Sequence, residues 1–227
     1  MKNISKKLKT HYRKKFIKFG PTSKGVDWGD KQWTADLRNF NMLKLIKDLF
    51  EEKAHLVKKV DGKRRPHQSI SFLDIGCGYG HLLDLIKGKD LNIKYTGIDI
   101  CSEMISYAKK KHPDNKFFCG DILDFKEKKY DYIACNGILT QKLNVSTLSM
   151  NYYSKKIIKK MFRMCRKGIA FNLMSTHVNF QKENIYYCNP AEMLAWCMSE
   201  ITSNVKLDAS YKLWYEYTMY LYREKFY

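Results

Sequence analysis

Ten residues, Ser71-Phe-Leu-Asp-Ile-Gly-Cys-Gly-Tyr-Gly80, constrain this chain more than any other stretch of it. An apolar run ending in Asp74-Ile75 gives way to glycines at 76, 78 and 80, and the amphipathic segment 82–87 follows, which is the order strand, tight turn, helix. Such glycines let the backbone bend sharply and approach a ligand where a Cβ would collide, while the helix behind them presents free N–H groups. A second apolar run, Lys94-Tyr-Thr-Gly-Ile-Asp99, closes on a carboxylate 25 residues after Asp74. In a parallel sheet that carboxylate lies beside the first turn, where it can accept hydrogen bonds from two ribose hydroxyls.

The glycine spacing narrows the ligand. A dinucleotide loop reads G-x-G-x-x-G and leaves room for a pyrophosphate, whereas this one reads G-C-G-Y-G with Asp74 two residues ahead of its first glycine. A carboxylate there repels phosphate and welcomes a cation. The loop resembles motif I of the class I S-adenosylmethionine-dependent methyltransferases, whose cofactor carries an ammonium and a sulfonium and no phosphate. Later segments continue the resemblance in order: Asp99-Ile100, the helix start Ser102-Glu-Met-Ile, Gly120-Asp-Ile122 after the run 116–119, and Tyr130-Asp-Tyr-Ile-Ala-Cys-Asn-Gly137. The resemblance implies a cofactor site of Asp74, Gly76, Cys77 and Gly78 in the loop, with Asp99 and Ile100 at the ribose. It also implies Met104 against the adenine, the Asp121 side chain and Ile122 amide at the adenine edge, and Asn136 and Gly137 facing the methyl group. Met104 reads equally as core filler, and Asp121 alone would read as a helix cap.

Strands are predicted at 71–75, 94–99, 116–119, 130–135 and 168–174, alternating with helices at 82–87, 103–111 and 152–165. A final helix at 191–199 precedes two strands, 204–209 and 215–222, joined by a short turn. The pattern specifies an α/β fold: a doubly wound, seven-stranded, Rossmann-like sheet, mostly parallel, with a C-terminal antiparallel hairpin. Ahead of it, helices at 5–17 and 33–50 flank the turn-rich segment 20–29, Gly-Pro-Thr-Ser-Lys-Gly-Val-Asp-Trp-Gly. That segment reads as a binding lid or as a loop pinned by Trp28. Residues 1–60 are expected to form a helical lid packed on a core of residues 61–227, within a single structural domain.

At 227 residues, 44% of them hydrophobic, the chain can bury one sizeable core. No apolar run approaches the ~20 residues that span a bilayer, and residues 1–9 lack a secretory hydrophobic centre, so a cytoplasmic protein is expected. Seven cysteines without a C-x-x-C pair or a histidine cluster suggest neither a disulfide framework nor a metal site. The formal charge of +19 suits an anionic partner. Thirty-five of the 42 basic residues are lysine, however, and the clusters at 58–65 and 155–160 are not interleaved with aromatics as a base-stacking surface would be.

Methyl transfer from a sulfonium is an in-line displacement that needs proximity, alignment and, for a hydroxyl acceptor, a base. Candidate bases are His177, after the strand 168–174, and His11 and Tyr12 on the basic N-terminal helix. Arg38 reads equally as a fork for the cofactor's carboxylate or as one half of a surface ion pair. Tyr186 and Tyr187 read as an acceptor wall or as core. Asn136-Gly-Ile-Leu stands where methyltransferases acting on base amino groups place an acid or amide before Pro-Pro-aromatic, which argues against base N-methylation. His11-Tyr, Gly25-Val-Asp-Trp-Gly29, Ala170-Phe-Asn-Leu, Tyr186-Tyr and Glu216-Tyr-Thr-Met-Tyr-Leu-Tyr222 resemble small bacterial methyltransferases that accompany surface-polysaccharide genes. That implies an O-methyl acceptor that is a sugar, a nucleotide-linked precursor, or a phosphoryl or phosphoramidyl capsule substituent, hence a small, anionic or sugar-like molecule. Two other classes stay open: an RNA-modifying enzyme and a non-catalytic S-adenosylmethionine-binding protein.

Overall fold

The computed structural model describes residues 2–46, 69–89, 91–126, 128–213 and 215–223. The expected linker at 60–69, the division at 60/61, the basic cluster at 58–65 and the end of the 33–50 helix fall wholly or largely outside them. Eight strands form one sheet: β1 (Ile70–Ile75), β2 (Ile93–Asp99), β3 (Lys116–Cys119), β4 (Tyr130–Cys135), β5 (Cys165–Ser175), β6 (Tyr187–Cys188), β7 (Val205–Asp208) and β8 (Glu216–Tyr222). Seven follow the order β3-β2-β1-β4-β5-β8-β7, and β6, absent from the sequence expectation, pairs with the end of β5. Strands β1 to β5 run parallel, while β8 is antiparallel to both β5 and β7. This is the mixed, doubly wound sheet expected from the alternation.

Among the described residues six α-helices accompany the sheet: α1 (Lys2–Phe19), α2 (Gln32–Leu43), α3 (His81–Gly88), α4 (Ser102–Lys111), α5 (Thr147–Met164) and α6 (Pro190–Glu200). The period-two geometry of the strands deals their side chains to two cores. Leu73, Ile133 and Phe171 face α5 through Met150, Ile157 and Met161, whereas their neighbours Phe72, Tyr132 and Ala170 face the other layer with Leu82, Leu83 and Met42. Covered on both faces, these central strands are near-continuous apolar runs, as buried parallel strands are. Asn189 caps α6, its Oδ1 accepting from the Ala191 N–H at 2.9 Å, with Pro190 in the first turn where a missing N–H costs nothing. Helix α1 joins the first core through Ile4 and Leu8, and Phe16 stacks on Tyr79, 6.4 Å between ring centres.

Strand β1 lies between β2, which leads to β3, and β4, which leads to β5. The strand order therefore reverses between β1 and β4, and the carboxyl ends of the strands flanking that point open a crevice.

One buried ion pair crosses the layers. Arg38 Nε on α2 donates to Glu216 Oε2 on β8 at 2.8 Å, where the Glu216 side chain is 3% exposed. The other oxygen, Oε1, accepts from Asn172 Nδ2 on β5 at 2.9 Å. Removing one partner of a buried pair strands the other charge, which typically costs about 3–5 kcal/mol. Glu216→Ala should therefore lower unfolding stability by about that amount in urea denaturation, whereas Lys159→Ala, which breaks the surface pair with Glu200, should leave the midpoint where it is.

Candidate active site

The crevice holds a cavity lined mostly by apolar side chains and glycine backbone, as small-molecule sites are. Its wall includes Asp74, Gly76, Cys77, Gly78, Asp99, Ile100, Met104, Asp121, Ile122, Asn136 and Gly137, eleven of the twelve residues expected to hold a cofactor. Gly76 has φ +74°, and a Cβ there would lie 2.5 Å from Ile138, so the turn needs glycine twice over. The Gly78 N–H donates to Asp99 Oδ2 at 2.9 Å and the Cys101 N–H to Oδ1 at 2.8 Å. Each carboxylate oxygen keeps lone-pair capacity for a hydroxyl. Burial raises the Asp99 pKa above the ordinary carboxylate value, and the amides of Cys101, Gly78 and Ile100 oppose the rise. Asp121 Oδ1 accepts from the Leu123 N–H at 2.9 Å, so this side chain both shapes its turn and lines the cavity.

Asp74 is 3% exposed, and its Oδ2 accepts from the Tyr95 hydroxyl at 2.7 Å. Burial pushes its pKa up to about 7, against the opposing Tyr95 hydrogen bond. A buried acid with no cationic partner among the described residues is a seat for a cation. In the same cavity wall, Asn136 Nδ2 donates to Asn39 Oδ1 at 2.8 Å, while the buried Asn136 Oδ1 has no partner among the described residues. An orphaned buried acceptor beside a buried acid fits a ligand that brings an ammonium. Cys77 fills space: it is 6% exposed, and burial raises its thiol pKa well above the usual value, which keeps it unreactive.

Arg38 is the exception among the expected cofactor residues. It lies outside this cavity, and its guanidinium is committed to the buried Glu216 carboxylate and to the face of Trp28, 5.5 Å from the ring centre. Of the two expectations for Arg38, a fork for the cofactor's carboxylate or an ion pair, the structure shows the ion pair, made to a buried partner and not at the surface: a carboxylate this deep needs its own countercharge. The cation-capable side chain on the cofactor cavity wall is His81 at the N-terminus of α3. Burial lowers its pKa, but hydrogen bonds to Asp84 and Asp36 outweigh this and hold it above the ordinary value.

The candidate bases are dispersed. His177 is exposed and lines neither this cavity nor its neighbour, because its N–H turns back onto Ser175 Oγ at 3.0 Å just past the end of β5. Tyr12 does line the cofactor cavity, its hydroxyl 3.5 Å from the Gly137 carbonyl oxygen, and burial pushes its pKa far up, so it remains neutral. His11 Nε2 is 2.8 Å from Asp27 Oδ2. Asp27 also takes Lys15 Nζ at 2.7 Å and Gln141 Nε2 at 3.0 Å.

A second cavity shares Trp28 and Gly137 with the first. Trp28, Phe180, Tyr187 and Tyr215 supply rings, and Asp27, Gln141, Asn172 and Arg38 supply polar groups. Gly137 has φ +83°, and a Cβ there would meet the Trp28 indole at 2.7 Å; its N–H donates to Asn172 Oδ1 at 2.8 Å. Tyr187 lines this cavity, whereas Tyr186 is core, 1% exposed. Asp27, Asn39, Asn172 and Glu216 were not singled out from sequence. The available signal was a polar residue inside an apolar strand, as in Ala170-Phe-Asn-Leu. Among the described residues no group of three or more metal-ligating side chains comes together, and no helix is long and apolar enough to cross a membrane.

S-adenosylmethionine fits this arrangement by the donor set alone: a buried acid and an orphaned amide oxygen for its ammonium end, and a carboxylate with open lone pairs for its ribose. Asp99→Ala should cost on the order of 2 kcal/mol of cofactor affinity by titration calorimetry. Asp74 makes a second prediction. The folded protein keeps a proton up to about pH 7 that the unfolded carboxyl loses near pH 4. Stability should therefore fall as pH rises between those values, and Asp74→Asn should remove that fall in urea midpoints measured across the range.

Comparison with known proteins agrees with the cavity. A Mycobacterium tuberculosis protein described as a methyltransferase is 27% identical over 154 residues, covering 66% of this chain and 90% of its own length. A malonyl-[acyl-carrier protein] O-methyltransferase of Priestia megaterium is 30% identical over 125 residues, 54% of this chain and 42% of that relative. Among solved structures, magnesium protoporphyrin IX methyltransferase from Synechocystis PCC 6803 with bound S-adenosylmethionine shares the fold, with TM-score 0.58 at 17% identity over 96% of this chain and 97% of its own. A family model described as a methyltransferase domain matches residues 66–224, which takes in every strand of the sheet and the whole glycine loop. The chain belongs to that methyltransferase-domain family, as an S-adenosylmethionine-dependent enzyme.

Proposed function

We propose that the protein O-methylates a small sugar-like acceptor that carries an anionic group, such as a sugar phosphate or a nucleotide-linked sugar, in the assembly of a surface polysaccharide. The observation that carries this reading is the second cavity, which adjoins the cofactor cavity across Trp28 and Gly137. Its four aromatic rings offer faces for a sugar's C–H groups, and its amides and carboxylates offer partners for hydroxyls. Its two acids already have bases, Asp27 with Lys15 and Glu216 with Arg38, while Lys182 at the rim has no carboxylate partner among the described residues. That leaves a net positive mouth for the anionic group. The O-methyltransferase among the relatives supports oxygen as the receiving atom.

In this reading Asp99 takes the ribose hydroxyls with Ile100 beside it, and Met104 packs against the adenine. Asp121 and the Ile122 amide meet the adenine edge, while Asp74 and Asn136 face the ammonium. The loop Gly76, Cys77 and Gly78 cradles the cofactor, and Gly137 stands where the methyl is delivered. The cofactor supplies an electrophilic methyl group, and the chain supplies alignment and a dry cavity. The lid expected from residues 1–60 supplies Tyr12, Val26 and Trp28 to the cofactor cavity wall.

Methyl-release assays against hexose phosphates, nucleotide-linked hexoses and bulk RNA should show turnover on the first two, and turnover on RNA alone would overturn the reading. His177→Ala should leave that turnover unchanged, since its exposed ring lies away from both cavities.

A further inference from the structure

We propose that Asp27 is the general base that takes the acceptor's hydroxyl proton, an assignment that rests on the O-methyltransferase reading above. Asp27 belongs to the strap between α1 and α2, and its two chain neighbours, Val26 and Trp28, line the cofactor cavity while Asp27 itself lines the acceptor cavity. The strap thus delivers one carboxylate to the junction where acceptor and methyl group must meet.

The local backbone is built for that placement. Asp27 has φ +60° and ψ +32°, a left-handed conformation that L-residues other than Asn and Asp adopt at a cost. The conformation is held from both sides. His11 and Lys15 on α1 reach Oδ2 and Oδ1 at 2.8 and 2.7 Å. From the far wall Gln141 Nε2 reaches Oδ2 at 3.0 Å, and Gln141 Oε1 in turn accepts from Asn184. The charged groups across the cavity are Arg38, paired with Glu216, and Lys182. Burial alone would raise the Asp27 pKa, but the hydrogen bonds from His11 and Lys15 outweigh it and hold the carboxyl below the ordinary value. The group is therefore ionised throughout the neutral range.

The step balances. The acceptor oxygen forms its bond to the methyl carbon as the carbon–sulfur bond breaks and its electron pair stays on sulfur. The hydroxyl proton passes to the Asp27 carboxylate, so the positive sulfonium and the negative carboxylate are neutralised together. Tyr12 and His177 cannot serve: the first lies in the cofactor cavity with its proton held tightly by burial, and the second lies outside both cavities.

The test is Asp27→Asn, which keeps the shape and tolerates the left-handed backbone, assayed from pH 7.5 to 9.5 on the sugar phosphate or nucleotide-linked hexose that the wild type turns over best. The expected result is unchanged cofactor affinity by calorimetry and a kcat at least about 100-fold lower at pH 7.5. The variant's kcat should climb with pH as the acceptor ionises, against a flat wild-type profile. Three outcomes would overturn the assignment and leave the O-methyltransferase reading standing: a kcat within fivefold of wild type, a loss with the flat wild-type profile, or an equal loss in Lys15→Met, which loosens the strap and keeps the carboxylate. If the wild type methylates none of these hydroxyl acceptors, the O-methyltransferase reading fails, and the base with it.

Discussion

The carboxylate of Glu216 joins four elements that are far apart in the chain. Through Arg38 it anchors α2, through Asn172 it anchors β5, and Asn172 passes the connection on to the Gly137 amide at the end of β4. The wall between the two cavities hangs from this chain of hydrogen bonds. Gly137 can accept the Trp28 indole only because it has no side chain, and Trp28 stays in place between Gly137 and the Arg38 guanidinium. A buried charge is expensive unless each of its lone pairs is used, and here the partners that satisfy it also define where one cavity ends and the other begins.

The parts of this architecture legible in the sequence are those set by neighbours in the chain. Glycines at 76, 78 and 80 announce a turn because φ is a local property, and β1, β2, β4 and β5 announce themselves as largely apolar runs because buried parallel strands have no solvent face. Asp99 stands on the cavity wall, where a carboxylate closing the second strand of such a unit belongs. The polar network was not legible. Arg38 and Glu216 are 178 positions apart, so nothing local pairs them, and Arg38 read equally as a cofactor fork or a surface ion pair. His177 shows a different limit: its strand was found, but whether the residue after it faces a cavity or solvent is set by the turn there. The segment 20–29 was recognised as informative, and Asp27 was read within Gly25-Val-Asp-Trp-Gly29, but its contacts to α1 and Gln141 were not legible, because those partners lie outside the segment.

Chemically the site divides its labour by environment. Asp74 is buried without a base and keeps its proton up to about pH 7, whereas Asp27, also sheltered, is surrounded by donors and stays ionised. Two carboxylates on the walls of the two cavities are thus set apart by the same balance of desolvation against hydrogen bonding: Asp74 titrates near neutrality, and Asp27 stays ionised through it.

Trp28 belongs to both cavity walls at once. A partition of that kind makes each occupant part of the other's container: a molecule pressing on one face of the indole fixes the shape presented on the other. The strap between α1 and α2, which carries Val26, Asp27 and Trp28, therefore shapes both chambers at a stroke.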